Sequence, residues 1–146
     1  MSYDKPLVPT HAHGPFQELV GYEILHNTQG PYFRLPIRRD HINPHGVVHG
    51  GVLMTLLDSA GGRCLVDQML ESTGQRVQSS VTVTMTTDFL RAVSQGVLFA
   101  SGTVDKIGKT LANVSVKVTA DALDGMVVAR GIGTYRIYTR SLVQDI

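Results

Sequence analysis

The sequence predicts an α+β domain in which a curled antiparallel sheet of about five strands wraps one long central helix. Three observations predict it. From Gly51 to about Met69, the residues Leu53, Leu56, Leu57, Ala60 and Cys64 recur at spacings of three and four, the period of a helix with one buried face. After that run the chain is almost entirely β-patterned. No second helical segment of comparable length accompanies it, so the compact solution lays the one apolar helix on a face of the one sheet.

The elements follow in order. Residues 1–14 form a loose arm punctuated by Pro6, Pro9, Gly14 and two histidines, and residues 15–146 form a single domain without repeat, linker or low-complexity tract. Tyr22 to Asn27 and Tyr32 to Ile37 are short strands, with Asn27-Thr28-Gln29-Gly30-Pro31 as the turn between them. Asp40 to Gly51 is dense in His, Asn, Pro and Gly and is expected to be a loop. The helix that follows is about 30 Å long at 1.5 Å per residue, and Gly74 marks its end or the loop after it. Val81, Val83, Met85 and Phe89 then alternate with Thr82, Thr84, Thr86 and Asp88. Leu98 to Val104 and Ala112 to Ala120 alternate likewise, and Met126 to Tyr138 is β-rich, with two glycines where a strand would bend. Ile107-Gly108-Lys109 and Leu123-Asp124-Gly125 supply hairpin turns. The expected order is two strands, one long helix, then three longer strands joined as a meander.

Composition narrows the function classes. A length of 146 residues suits one core. With 17% charged residues and a net charge near +1, nothing points to a nucleic-acid partner. No apolar run reaches the roughly 18 residues needed to span a bilayer, and Met1 to Thr10 lacks the apolar core of a secretion signal. Cys64 is the only cysteine, so no intrachain disulfide is possible. A soluble, cytoplasmic protein is expected.

The chemistry concentrates in His41 to Gly62, HINPHGVVHGGVLMTLLDSAGG. His49-Gly50-Gly51 stands immediately before the helix, where the first-turn N–H groups lack helical partners and the helix dipole is positive. Such a place binds an anion or the oxyanion of a carbonyl under attack, although a glycine pair also serves simply to shape a tight loop. Asp58 sits inside the apolar helix, and its wheel neighbours are Thr55, Met54, Gly51, Gly61 and Gly62. A carboxylate facing small residues suggests close contact with a ligand or another chain; the plain alternative is a solvated helix residue. His41, His45 and His49 are spaced by four, but Pro44 and Gly46 interrupt any continuous helix and no acidic or cysteine pair completes a ligand set. Neither a metal nor a cofactor is expected. No G-x-S-x-G elbow and no G-x-G-x-x-G fingerprint is present.

These features occur together, and together the segment resembles the hotdog-fold thioesterases, particularly the group that includes the phenylacetate-pathway enzyme and related acyl-CoA thioesterases. The resemblance is carried by Asn43, by His49-Gly50-Gly51, and by Asp58-Ser59-Ala60, with the Asp nine residues after the His. Val81 to Ala92 and the Gly108-Lys109-Thr110-Leu111 hairpin are also similar. It implies hydrolysis of an acyl-CoA thioester at a site built by two subunits, in a homodimer that pairs into a dimer of dimers. Asp58 would attack the thioester or activate water, and Gly50 would polarise the carbonyl through its N–H. Asn43 and His49 would hold that carbonyl or orient the loop, and Thr82 would position water unless Thr84 or Ser80 takes that place. Gly51 would approach the substrate, and Arg91, Lys106 and Lys109 at strand ends are candidates for the coenzyme A phosphates. Asp67, nearer the end of the helix, is expected to be a silent position. Two rivals carry different expectations: a hydratase or dehydratase using His49 as base with a partner Asp58, and a non-catalytic acyl-CoA-binding module.

Overall fold

The computed structural model describes residues 14–73, 77 and 79–138. The arm expected over residues 1–14 therefore lies outside the described residues save for Gly14, as does the helix stop expected at Gly74. The chain runs α1 (Pro15–Val20), β1 (Glu23–Asn27), β2 (Gly30–Pro36), a 3-10 turn (Arg39–His41), α2 (Gly50–Thr73), β3 (Ser79–Phe89), β4 (Val97–Ile107), β5 (Leu111–Ala120) and β6 (Met126–Tyr138).

The hotdog architecture is present. One antiparallel sheet, in the order β1-β2-β4-β5-β6-β3, packs against α2. The sheet has six strands against the five expected: all four β-patterned stretches after the helix are strands, where the expected order counts three. Ser79–Phe89 is not part of the meander; it leaves the helix to pair with β6 at the far edge, so that β1 and β3 are the two outer strands. The short helix α1 was not foreseen. Pro15 occupies its start and a left-handed Gly21 ends it, but six residues are too few for a period to show.

The helical period places the core. Leu53, Leu56, Leu57, Ala60, Cys64 and Leu65 of α2 are buried against Val114, Val116 and Val118 of β5 and Leu98 and Ala100 of β4. At 24 residues α2 runs to Thr73, past the end expected near Met69, and Asp67 and Met69 within it are buried. The β1–β2 turn is organised by Asn27, whose Oδ1 accepts from the Gln29 N–H at 2.8 Å.

Candidate active site

The loop before α2 folds around Asn43. Its backbone N–H donates to the Val47 carbonyl at 2.8 Å, and its Oδ1 accepts from the N–H groups of His45 at 2.9 Å and Val47 at 3.3 Å. An Ile42–Val48 bridge closes the loop. His49 then caps the helix. Its own N–H donates to the His41 carbonyl at 2.8 Å, while its Nδ1 accepts from the Gly51 N–H at 2.8 Å, the bond an N-cap side chain makes. A ring nitrogen that accepts is unprotonated, so the neutral imidazole carries its proton on Nε2. A Cβ at residue 51 would stand 2.9 Å from that Nδ1, which is why the cap is followed by glycine there. The Gly51 N–H is thus already used, and the Gly50 N–H is left without a partner among the described residues. The ring of Phe89 lies beside Gly50, 3.4 Å from where its Cβ would be.

Two turns along α2, Asp58 is half-buried and faces β3. Thr82 Oγ1 donates to Asp58 Oδ1 at 2.5 Å. Simple alternation would turn Thr82 away from the helix, because Met85 faces inward. The registers Thr82↔Tyr135 and Thr84↔Thr134 show why it does not: Val83 is an extra residue without a partner, a β-bulge that switches the faces of the strand. Thr82 and Ser80 therefore face α2, while Val81 and Val83 are exposed on the other side. Thr84 and Ser80, the other residues weighed for this place, make no such contact with the carboxylate.

On β6 the side chain of Tyr135 passes beneath the same helical turn. Its hydroxyl donates to the Asp58 carbonyl at 2.9 Å. Burial first, then the nearby Asp58 charge, pushes its phenol well above the usual range. Sequence reasoning missed this residue, since an apolar-bodied tyrosine on a strand reads as core; its only signal is the small residue opposite, Gly61.

Other expected residues are placed elsewhere. His41 is buried: its Nδ1 accepts from the Arg38 N–H at 3.1 Å and its Nε2 donates to the Val20 carbonyl at 2.7 Å, tying the 3-10 turn to α1. Arg91 follows β3 and donates to the Val127 carbonyl at 2.8 Å, at the end of the sheet where β5 meets β6. Lys106 and Lys109 sit at the β4–β5 turn, the opposite end. One chain therefore does not bring the three cations together. It does not join the two halves of the site either: Gly50 and Asp58 are eight residues apart on one helix, about 12 Å along its axis. Asp67, expected as the silent control for activity, is buried with His26 and Arg63 on its oxygens.

A curled sheet around one helix, with a capped glycine N-terminus and a hydroxyl-bound carboxylate on that helix, defines a hotdog protein. The chain belongs to the thioesterase superfamily, whose sequence profile matches residues 45–126. Among curated proteins it is 26% identical over 126 residues to a Thermoplasma acidophilum protein assigned by inference as an esterase, covering 84% of this chain and 88% of that one. Among solved structures it is similar to the BH2602 protein of Bacillus halodurans, determined with CoA, at 32% identity and a TM-score of 0.73, over 86% of this chain and 79% of that one. The phenylacetic acid degradation protein PaaI of Thermus thermophilus, in a mutant form, shares the fold at 24% identity and a TM-score of 0.67, over 84% of this chain and 97% of that one.

Proposed function

We propose that this chain hydrolyses an acyl-CoA, or a related acyl thioester, to the free acid and thiol, as the phenylacetate-pathway type of thioesterase does. The observation that carries the proposal is the Thr82 hydroxyl bound to the Asp58 carboxylate. That bond holds one carboxylate oxygen and orients the other. A thioester carbonyl is already electrophilic, and an ionised carboxylate either attacks it or takes a proton from water. The Gly50 N–H, at the positive end of α2, is the donor for the developing oxyanion. Asn43 and His49 shape the loop that presents it. A hydratase needs a free basic ring nitrogen there, and the cap occupies the accepting nitrogen, Nδ1. The CoA held by the Bacillus halodurans protein supports a coenzyme A thioester as substrate.

The same geometry supports a site shared by two copies. Thr82 and Asp58 lie toward one end of β3, and Phe89 and Gly50 toward the other. β3 is an outer strand that exposes Val81, Val83 and Phe89 at 41%, 55% and 53%. Antiparallel pairing of two such strands about their midpoint would cover this edge. It would also set Gly50 of one protomer beside Asp58 of its partner, and carry Arg91 of one toward the sheet end that bears Lys106 and Lys109 of the other. That arrangement brings the candidate phosphate-binding cations to one mouth.

A panel of acyl-CoA thioesters read with a thiol-detecting dye tests the activity. Burial, with the Asp67 charge second, pushes the Cys64 thiol up to about 11, and a substrate-free blank corrects for any reaction of this cysteine with the dye. The expected result is turnover of at least one thioester, with Asp58→Asn lowering kcat by about 10²- to 10⁴-fold and leaving KM nearly unchanged. Binding of acyl-CoA without any turnover by the wild type would replace this reading with that of a binding module.

A further inference from the structure

We infer that Tyr135 is a positioning residue for Asp58, the backbone half of a two-point clamp whose side-chain half is Thr82; the inference rests on the reading of Asp58 as the reacting carboxylate. Thr82 and Tyr135 are directly opposite one another in the β3–β6 ladder. Both face the helix, and both end on the same residue. Thr82 Oγ1 holds the Asp58 carboxylate at 2.5 Å, and the Tyr135 hydroxyl holds the Asp58 backbone carbonyl at 2.9 Å. One cross-strand pair therefore fixes the height of the helical turn and the direction of its side chain together.

The helix makes room for this contact at some cost to itself. Gly61, one turn beyond Asp58, is buried, and a Cβ there would stand 2.2 Å from the Tyr135 hydroxyl oxygen. Any other residue at 61 would push the tyrosine away. Tyr135 is 1% exposed, so its hydroxyl needs a protein acceptor, and a helical carbonyl keeps a second lone pair for one. The Val83 bulge completes the device. It turns Thr82 onto the face that Tyr135 occupies while the rest of β3 keeps its alternation. Packing alone would be met by phenylalanine; the hydroxyl, the glycine opposite and the bulge are what a clamp requires. A carboxylate that must meet a carbonyl held by another protomer's Gly50 tolerates little displacement, since 1 Å costs up to 10²-fold in rate.

Tyr135→Phe removes the hydroxyl and keeps the ring. It is expected to lower kcat, normalised to the folded fraction, by about 5- to 50-fold with KM unchanged. Tyr32→Phe on β2, remote from Asp58, is expected to leave kcat as in the wild type. Thr82→Val is expected to lower kcat as well, and Thr82→Ser to restore most of it. The deciding measurement is the double-mutant cycle: with both halves of one clamp removed, the loss for Tyr135→Phe with Thr82→Val is smaller than the product of the single losses. A kcat for Tyr135→Phe within twofold of the wild type, a rise in KM that matches the fall in kcat, or single losses that multiply without coupling would each overturn the inference while leaving the thioesterase reading intact. A wild type that turns over no thioester would overturn both.

Discussion

Asp67 is 5% exposed, with His26 Nε2 at 3.0 Å from one oxygen and Arg63 Nε at 3.2 Å from the other. The His26 contact has hydrogen-bond geometry; the Arg63 contact is an ion pair one helical turn away without that alignment. The carboxylate thereby joins α2 to the outer strand β1. Replacing it by Asn keeps the volume and an acceptor for His26 but removes the anion facing Arg63. Arg63 retains 22% exposure, so water recovers part of the loss. Asp67→Asn is expected to lose about 1–3 kcal/mol of stability, read from urea unfolding, while kcat per folded molecule stays as in the wild type. An unchanged unfolding midpoint would show that the buried pair contributes nothing net. The sequence made this residue a silent position because its nearest sequence neighbours do not include His26, 41 residues away on β1. Asp58 could be singled out as a candidate for the opposite reason: its cues, the glycines and the His-Gly-Gly, lie within one short segment.

At the scale of elements, α2 shows how near two adjacent glycines can be to opposite outcomes. An Ala at 61 meets the Tyr135 hydroxyl at 2.2 Å and Val116 Cγ1 at 2.9 Å, whereas an Ala at 62 has nothing closer than 3.6 Å. Helix propensity favours Ala over Gly by about 1 kcal/mol at either position. At 61 the overpacking wins, and Gly61→Ala is expected to be destabilising by about 1–3 kcal/mol; at 62 propensity wins, and Gly62→Ala is expected to be neutral or stabilising. Thermal unfolding of the two variants checks the pair, and equal effects would contradict the close approach of β6 to α2. The helix itself and the alternating strands were readable because each announces its own period. Three things were not. The helix α1 is too short to show a period. The edge place of β3 was not readable, since alternation tells that a stretch is a strand but not which strand it pairs with, and the expected meander counts three strands where four follow the helix. The Val83 bulge breaks the alternation of β3 without any glycine to mark it, and so the face of Thr82 could be learned only from the ladder.

For the whole molecule, the proposed pairing along β3 divides the labour between two chains. Within one chain Gly50 and Asp58 stand two helical turns apart, and β3 carries their neighbours Phe89 and Thr82 toward its two ends. If two protomers pair along β3, each site takes Asp58 from one and Gly50 from the other. That arrangement makes a prediction no single-chain site shares. Asp58→Asn destroys the carboxylate but leaves the loop, and Gly50→Pro removes the donor N–H at the first helical position, where proline is tolerated. Each homodimer is expected to be nearly inactive. Unfolding and refolding the two variants together in equal amounts makes heterodimers half of the population, by statistics. Every heterodimer then holds one site with both defects and one with none. The mixture is expected to recover about a quarter of the wild-type rate, with wild-type KM, as the dimer re-forms. Light scattering on the same samples follows assembly. A mixture that stays as inactive as its parents while forming dimers would place Asp58 and Gly50 in separate roles within one chain, and an active monomer would remove the shared site altogether.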